Sequence, residues 1–266
     1  MADLHITSPS NPRLKELVAL RRRRTREETG TTVLEGTEEL TLALEAGVTP
    51  FAVYHCPELM QDYGPEAVEA ARAAGATVVE LSRAAFDKVA YREGPDGVLA
   101  KMPAPGLTWD EVELPAHPFV LLVEGVEKPG NLGAMLRTAD AAGVDLVVAA
   151  DCVTDWGNPN VVRGSKGTVF SVPVVATTRT EAWAWLGERG IAVVATTPDT
   201  ETLHTDVDYS GAVAVAVGSE KYGLTTAALA ASDHRVRIPM VGQANSLNVA
   251  TSAAIVLYEA VRQRRP

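Results

Sequence analysis

The stretch FVLLVEGVEKPGNLGAMLRTADAAGVDLVVAA, residues 119–150, decides the fold predicted for this chain. It opens on the apolar run Phe119–Val123, which is typical of a strand in a parallel sheet covered on both faces. A glycine-containing turn at 130–133 precedes a predicted helix over 134–142, and Gly143 ends it. A second apolar run, 145–150, completes a strand–helix–strand unit. We therefore predict an open, mainly parallel sheet in the C-terminal half.

The same periodicities extend outward in both directions. Strands are predicted at 171–176, 191–196, 212–218 and 235–239, with helices at 181–189 and 247–262. On the N-terminal side, a helix is predicted over 13–24, followed by strands at 31–35, 50–56 and 76–81 and helices at 38–46 and 66–74. Four prolines, at 103, 105, 115 and 118, then interrupt both the helical and the strand periodicity of apolar residues. We predict a smaller N-terminal α/β domain over 1–101, a Pro-rich linker over 102–118 and the sheet domain over 119–266.

Several classes of protein are disfavoured. Only Cys56 and Cys152 are present, with no CxxC pair, so neither a disulfide framework nor a zinc site is expected and a reducing, cytoplasmic location fits. The start of the chain lacks the pattern of a signal peptide, and no apolar run reaches the roughly 18 residues that span a bilayer, so no membrane role is expected. Gly125, Gly130 and Gly133 are not spaced as GxGxxG, and no GxxxxGK[ST] occurs. Nicotinamide-dependent oxidoreductases and P-loop proteins are therefore poor matches.

The charge is uneven along the chain. The formal net charge is −10, which argues against a protein coated in basic surface. Between residues 13 and 26, however, seven basic residues and one acid give a local charge of +6. We predict that this segment contacts nucleic-acid phosphates, and the alternative is a solvated basic helix face that only aids solubility. The candidate residues for this contact are Arg13, Lys15, Arg22, Arg23 and Arg24.

Three polar segments follow predicted strands, where open parallel sheets bind their ligands. They cover residues 124–138, 218–225 and 238–249. In the third segment Asn245 or Ser246 is predicted to cap the last helix, with Asn248 in its first turn. Each segment taken alone is compatible with ordinary loop and capping chemistry.

Taken together and in this order, the three segments resemble the signature motifs of the SpoU/TrmH family of RNA ribose 2′-O-methyltransferases. The resemblance is carried by Asn131-x-Gly-x-x-x-Arg137, by Gly218-Ser-Glu-x-x-Gly223 and by Ile238-Pro-Met with Ser246-Leu-Asn-Val249. Residues 6–15 and 34–36 are similar to the ribosomal-protein-like substrate-binding domain that many members carry.

This resemblance implies a knotted fold and a dimer, neither of which can be predicted from the periodicity of the sequence. The C-terminal end would form a deep trefoil knot of the SPOUT type, an exception to unknotted connectivity. Members are homodimers whose active site lies at the subunit contact, and they bind S-adenosylmethionine in the knotted loops. The resemblance places Gly218, Ile238, Leu247, Ser246 and Thr196 around that cofactor. It places Arg137, Asn131, Glu220, Ser246 and Asn248 at the reaction centre.

The expected reaction is an in-line methyl transfer to a ribose 2′-hydroxyl, which needs no metal but needs a destination for the hydroxyl proton. No histidine lies in the three motifs. Members are thought to use the arginine that matches Arg137 to activate the hydroxyl, but a guanidinium group stays protonated in proteins and is not a literal base. The alternative is that Arg137 binds the phosphate next to the target ribose, and Glu220 orients Arg137 or the hydroxyl. We expect ribosomal RNA as substrate, in a housekeeping or antibiotic self-resistance role. Transfer RNA methylation and a non-catalytic RNA-binding role are the alternatives.

Overall fold

In the computed structural model, which describes residues 4–264, the contacts divide the chain into two units. One unit comprises residues up to 105 together with 156–171, and the other comprises 106–155 together with the residues from 172 onward. Residues 156–171 thus depart from the expected division, which assigned them to the sheet domain. Residues 106–118 also differ from a free linker, because the N–H of Leu107 donates to the carbonyl of Val174 and Trp109 stacks on Trp185.

The N-terminal unit is a five-stranded mixed sheet with helices. Its elements up to residue 105 are β1 (Leu4–Ile6), α1 (Pro12–Ala19), α2 (Arg23–Thr29), β2 (Thr31–Glu35), α3 (Thr37–Glu45), β3 (Ala52–His55), α4 (Gly64–Ala73), β4 (Thr77–Leu81), α5 (Arg83–Val89) and β5 (Val98–Pro103). The strand order is β1-β4-β3-β5-β2, and β5 runs antiparallel to both of its neighbours. The core packs Leu14, Leu17, Leu81, Phe86 and Leu99 together.

The predicted single helix over 13–24 is wrong. The chain forms α1 and α2 with a break between them, because the buried guanidinium of Arg26 turns back and donates to the carbonyls of Leu20 and Arg21. Those two carbonyls accept hydrogen bonds from the Arg26 side chain, in place of the backbone N–H groups that would bind them if the helix continued.

Residues 156–171 join the N-terminal unit through long-range contacts. The segment contains α7 (Pro159–Gly164) and a short 3-10 turn at Thr168–Phe170. The hydroxyl of Thr32 on β2 donates to the carbonyl of Gly157. Gly167 has a φ of 83° and approaches the backbone of Glu39 so closely that a Cβ would lie 3.0 Å from its carbonyl oxygen. Only glycine combines that backbone conformation with that approach.

The C-terminal unit is a six-stranded sheet in which all five strand pairs are parallel. Its elements are β6 (Phe119–Glu124), α6 (Pro129–Ala142), β7 (Leu146–Ala150), β8 (Val174–Thr177), α8 (Arg179–Glu188), β9 (Ala192–Thr196), β10 (Val213–Val217), α9 (Thr226–Ala231), β11 (His234–Val236) and α10 (Val249–Arg264). The order is β11-β9-β10-β6-β7-β8. The prediction of an α/β fold with a parallel sheet is confirmed. Among the described residues, no helix is long and apolar enough to cross a membrane.

Candidate active site

Four neighbouring strands of the C-terminal unit bring the candidate motifs to one edge of the sheet. The order β11-β9-β10-β6 is parallel throughout, so all four carboxyl ends meet at that edge. Thr196 ends β9, Gly218 follows β10 and Ile238 lies just beyond β11. The hydroxyl of Thr196 donates to the carbonyl of Ala216 on β10 at 3.0 Å, which ties two of these strand ends together. Three of the predicted cofactor-binding residues therefore lie on adjacent strand ends.

Asn131, Glu220 and Asn248 form one hydrogen-bonded chain. The side-chain amide of Asn131 donates to Glu220 Oε1 at 2.7 Å, and the amide of Asn248 donates to Asn131 Oδ1 at 3.1 Å. Along the chain, Glu220 lies 89 positions and Asn248 lies 117 positions after Asn131. The folded chain thus unites one residue from each of the three motifs.

Asn248 has a second role that corrects the predicted cap. Its Oδ1 accepts from the N–H of Ala250 at 2.9 Å, and α10 begins at Val249. Asn248 itself therefore caps α10, and the prediction that Asn245 or Ser246 does so, with Asn248 in the first turn, is wrong. The side chain of Asn248 thus caps the last helix through Oδ1 and donates a hydrogen bond to Asn131 through Nδ2.

The carboxylate of Glu220 lies at the N-terminal end of α6. The N–H groups of Lys128 and Glu127 point at its two oxygens at 3.3 and 3.4 Å. Burial raises the pKa of Glu220, but the hydrogen bonds from Asn131 and these N–H groups outweigh it, so the pKa lies below its ordinary value. Glu220 is consequently ionised at neutral pH and is a fixed acceptor more than a strong base.

A tight turn carries Glu220 into this position. The backbones of Ser219 and Gly223 exchange two hydrogen bonds, at 3.0 and 2.9 Å. Gly218 lies so close beneath the turn that a Cβ there would be 1.9 Å from the carbonyl carbon of Gly223. Any side chain at position 218 would displace the backbone that presents Glu220.

Arg137 does not join this cluster. It lies on α6 six residues after Asn131, which places it about 120° around the helix and about 9 Å along it. It is exposed and has no hydrogen bond or ion pair with any residue in the range 4–264. Its guanidinium is therefore available to a group from outside the chain.

Ser246 and Leu247 lie on an exposed loop before α10. Residues 239–248 are all exposed, and within the described part of the chain no hydrogen bond involves residues 238–247. The structure thus places Ser246 and Leu247 near the cap residue Asn248 without fixing them by polar contacts.

Sequence reasoning did not single out Glu124, which ends the apolar run of β6. Glu124 is 1% exposed and accepts from the indole of Trp183 at 3.3 Å and from the N–H of Thr225 at 2.9 Å. Arg179 approaches it at 3.3 Å. A cavity of about 610 Å³ opens beside this group and beside the turn at Ser219. An acidic residue at the end of a buried strand was the available signal.

We also searched the described residues for metal-binding groups and for a reactive thiol. Within residues 4–264, no group of three or more His, Cys, Asp or Glu side chains is arranged to hold a metal ion. Burial raises the pKa of the Cys152 thiol to about 11, so it stays protonated at neutral pH and is a poor nucleophile.

The candidate RNA-binding residues of the N-terminal unit fall into two groups. Arg23 and Arg24 form ion pairs with Glu27 and Glu28, each at 2.7 Å. By contrast, Arg13, Lys15 and Arg22 are exposed and have no polar side-chain partner among the described residues. The second group therefore offers unpaired charge to phosphates.

Removing the amide of Asn131 should shift the pH dependence of the reaction. In the intact site, Glu220 keeps its charge until the pH falls through its lowered pKa. Asn131→Ala deletes the 2.7 Å hydrogen bond, so we expect that pKa to rise and the acidic limb of kcat/KM to move to higher pH. We also expect the rate at neutral pH to fall roughly tenfold to a hundredfold.

A pH–rate profile with labelled cofactor checks this expectation. Glu220→Gln is the comparison variant, since it has nearly the same size but cannot titrate, and it should lose the acidic limb that Glu220 causes. Its amide nitrogen cannot accept a hydrogen bond as the second carboxylate oxygen does, so we also expect a lower rate at neutral pH. An acidic limb at the same pH in Asn131→Ala and in the unchanged protein would contradict the assigned role of Asn131.

Comparison with known proteins covers both units. Residues 118–258 match the model of the SpoU rRNA Methylase family, and residues 11–100 match that of the MRM3-like substrate binding domain. The 23S rRNA (guanosine(2553)-2′-O)-methyltransferase RlmP of Bacillus subtilis is 33% identical over 253 residues, which are 95% of this chain and 97% of that protein.

Solved structures agree with the sequence matches. A crystal structure of an RNA 2′-O ribose methyltransferase superposes with a TM-score of 0.86 and 39% identity, covering 98% of this chain and 99% of that one. The SpoU methyltransferase AviRb of Streptomyces viridochromogenes, in complex with AdoMet, gives a TM-score of 0.85 at 28% identity over 96% of this chain and 99% of its own. With the three motifs gathered on neighbouring strand ends and both units matched, the chain belongs to the SpoU rRNA methylase family.

Proposed function

We propose that this protein transfers a methyl group from S-adenosylmethionine to a ribose 2′-hydroxyl of ribosomal RNA. The observation that carries the proposal is the hydrogen-bonded chain of Asn131, Glu220 and Asn248 at the carboxyl edge of the sheet. A relative whose name specifies 23S rRNA 2′-O-methylation matches 95% of the chain.

The strand ends beside this cluster suit S-adenosylmethionine. Thr196, Gly218 and Ile238 lie on three adjacent strand ends and carry no charge that would oppose the cationic cofactor. Beyond them, the backbone of residues 238–247 makes no hydrogen bond to the described chain, so its donors and acceptors are free for adenine and ribose. Leu247 and Ile238 supply apolar contact, and Ser246 supplies a hydroxyl. When bound, S-adenosylmethionine supplies an electrophilic methyl group on a sulfonium.

The chain's own residues position the hydroxyl. Glu220 is held ionised and its oxygens are occupied by Asn131 and backbone N–H groups, so it orients a donor instead of taking the proton outright. Arg137 binds the phosphate next to the target ribose, and its charge stabilises the developing alkoxide. The phosphate or a water molecule then receives the proton, since guanidinium stays protonated.

The active form is a homodimer joined through the C-terminal unit. Arg137 points away from Asn131 on α6, so one protomer does not unite the two residues. Exposed apolar side chains on the same unit, at Met240, Val241, Leu247 and Tyr258, give such a dimer an apolar surface to bury. Arg137 of one protomer then acts at the Asn131 cluster of the other.

The C-terminal end forms a trefoil knot. After β11 at one edge of the sheet, the chain returns so that α10 packs against α6 and β10 near the centre. This return path, together with the close match to solved family structures, supports a chain end that passes through an earlier loop.

RNA docks through the unpaired cations of the N-terminal unit. We expect the triple variant Arg13→Ala, Lys15→Ala, Arg22→Ala to raise KM for RNA roughly tenfold, and the salt slope of RNA binding to fall by about 2 to 3. The double variant Arg23→Ala, Arg24→Ala is the matched control, since its guanidiniums are already paired with glutamates, and it should change both quantities less. Equal effects of the two variants, or none, would contradict this assignment.

Methyl incorporation from labelled cofactor into separate RNAs tests the function itself. The expected result is incorporation into 23S rRNA, with no comparable label in 16S rRNA or transfer RNA. Label in transfer RNA alone, or in no RNA, would overturn the proposal.

A further inference from the structure

A groove runs between α3 and α4 of the N-terminal unit. Its volume is about 980 Å³, and Leu42, Leu44, Ala67 and Ala70 give it an apolar floor. Tyr63 lies at its margin and is 75% exposed. Helix α3, which forms one wall of the groove, has nine residues and is about 13 Å long, so it can lie against two to three turns of a bound helix.

The charges around the groove are mostly acidic. Its lining contains Glu38, Glu39, Glu45, Glu66 and Asp96 against Arg92 and Lys166, so five acids and two bases leave −3. The bases are already paired, Arg92 with Asp96 at 2.8 Å and Lys166 with Glu38 at 3.5 Å. In the described part of the chain, Glu45 and Glu66 have no ion-pair partner. The groove therefore repels RNA phosphates and attracts cations.

Two largely buried polar residues also line the groove. Thr37 is 8% exposed and Glu39 is 2% exposed, and both line the groove. Among residues 4–264, Thr37 Oγ1 has no hydrogen-bond partner, and Glu39 Oε1 has no hydrogen bond but lies 3.7 Å from Lys166 Nζ. Lys166 therefore offsets charge from both Glu38 and Glu39, and Glu45 and Glu66 are the acids that remain for an external cation.

The position of Glu45 adds a third indication. It is the last residue of α3, where the carbonyl end of the helix already carries partial negative charge. A carboxylate there lowers the stability of the helix, and a bound cation would offset that cost.

We propose that this groove binds a basic amphipathic segment of a protein, a conclusion that rests on the proposed action on ribosomal RNA. Lysine or arginine side chains of the segment would pair with Glu45 and Glu66, and its apolar face would cover Leu42, Leu44 and Tyr63, as in helix-in-groove recognition. The partner is then a basic protein already bound to the RNA, so the preferred substrate is a protein-bearing ribosomal particle.

Fluorescence anisotropy with the full-length protein tests the groove. The probe is an 18-residue synthetic helical peptide with leucine on one face and lysine on the other, compared with its scrambled sequence and with spermine. We expect the amphipathic peptide to bind at least about tenfold more tightly than the scrambled one, and Glu45→Lys with Glu66→Lys to lose at least about tenfold in affinity. The control Glu58→Lys with Glu113→Lys makes the same charge change at exposed positions outside the groove and should bind normally.

Methylation assays separate this proposal from the proposed function. The variant Glu45→Lys with Glu66→Lys, called the groove variant, should have a KM for protein-bearing ribosomal particles that is raised about tenfold. Its KM for naked 23S rRNA should be unchanged. Equal binding of the scrambled peptide or of spermine, undiminished peptide binding by the groove variant, or an unchanged KM for particles would overturn the groove proposal. Failure of the unaltered protein to methylate either substrate would overturn the proposed function instead, while the peptide measurement still decides the groove.

Discussion

Arg137→Ala is expected to lower methyl transfer to RNA by roughly 10²–10³-fold. Arg137 is exposed, lies about 120° around α6 from Asn131 and has no polar partner in the described chain. Its loss should therefore leave folding intact and remove only contacts to RNA. Arg137→Lys should rescue little, because an ammonium does not reproduce the bidentate contact of guanidinium with phosphate.

Mixed dimers extend this experiment to the proposed subunit arrangement. One protomer carries Arg137→Ala and the other Asn131→Ala, with different affinity tags so that only mixed dimers are purified. If Arg137 acts across the subunit contact, each mixed dimer contains one complete site and activity returns to a substantial fraction of normal. Arg189→Ala, at another exposed arginine of the same unit, is the control and should retain activity. A mixed dimer as inactive as both parents would contradict action across the contact.

Gly218→Ala is expected to abolish cofactor binding and to lower stability. The new Cβ would lie 1.9 Å from the carbonyl carbon of Gly223 and 2.1 Å from the nitrogen of Leu224, both backbone atoms. The turn that presents Glu220 must then move, at a cost of about 3 kcal/mol, which corresponds to a fall in Tm on the order of 5–10 °C. Calorimetric titration with S-adenosylmethionine and a thermal melt measure the two effects.

Gly187→Ala is the matched control for this substitution. Gly187 lies inside α8, its φ is not positive and a Cβ there would meet nothing within 4 Å. Alanine favours a helix more than glycine does, so this variant should be unchanged or more stable by about 0.5–1 kcal/mol. Normal cofactor affinity in Gly218→Ala would show that the turn is not part of the binding site.

The strands of the C-terminal sheet were predictable because parallel strands buried on both faces are short continuous apolar runs. All six predicted strands of that unit occur, within a few residues of their expected ends. Their spatial order is not encoded in the runs themselves, because it depends on which runs pair. The resemblance to a known family supplied the grouping of the motifs.

The predictions failed where long-range contacts outweigh local pattern. β5 was missed because Pro103 and the prolines after it were assigned to a linker, although Ala100 and Met102 are fully buried. The contact between Thr32 and Gly157, 125 positions apart, helps hold residues 156–171 in the N-terminal unit. Neither feature leaves a periodic signal.

The residues of the candidate site were predictable only where they belong to a sequence motif. Asn131, Glu220 and Asn248 were identified from their motifs, and the structure brings them together. That Asn248 caps α10 depends on where the helix begins, which sequence locates only within a few residues. The ion pair between the buried Glu124 and the partly exposed Arg179 was missed because it joins residues 55 positions apart, although an acid at the end of a buried strand was a signal for Glu124 alone.

Locating the methyl group on the RNA tests the central claim most directly. A methylated 2′-oxygen cannot attack the adjacent phosphodiester, so it leaves that linkage resistant to alkaline hydrolysis. Purified protein incubated with 23S rRNA and S-adenosylmethionine should create a resistant linkage at a defined nucleotide, and Asn131→Ala and Arg137→Ala should each reduce it sharply. Methyl groups found on a base, or a resistant linkage formed equally well by both variants, would contradict the assignment of this site.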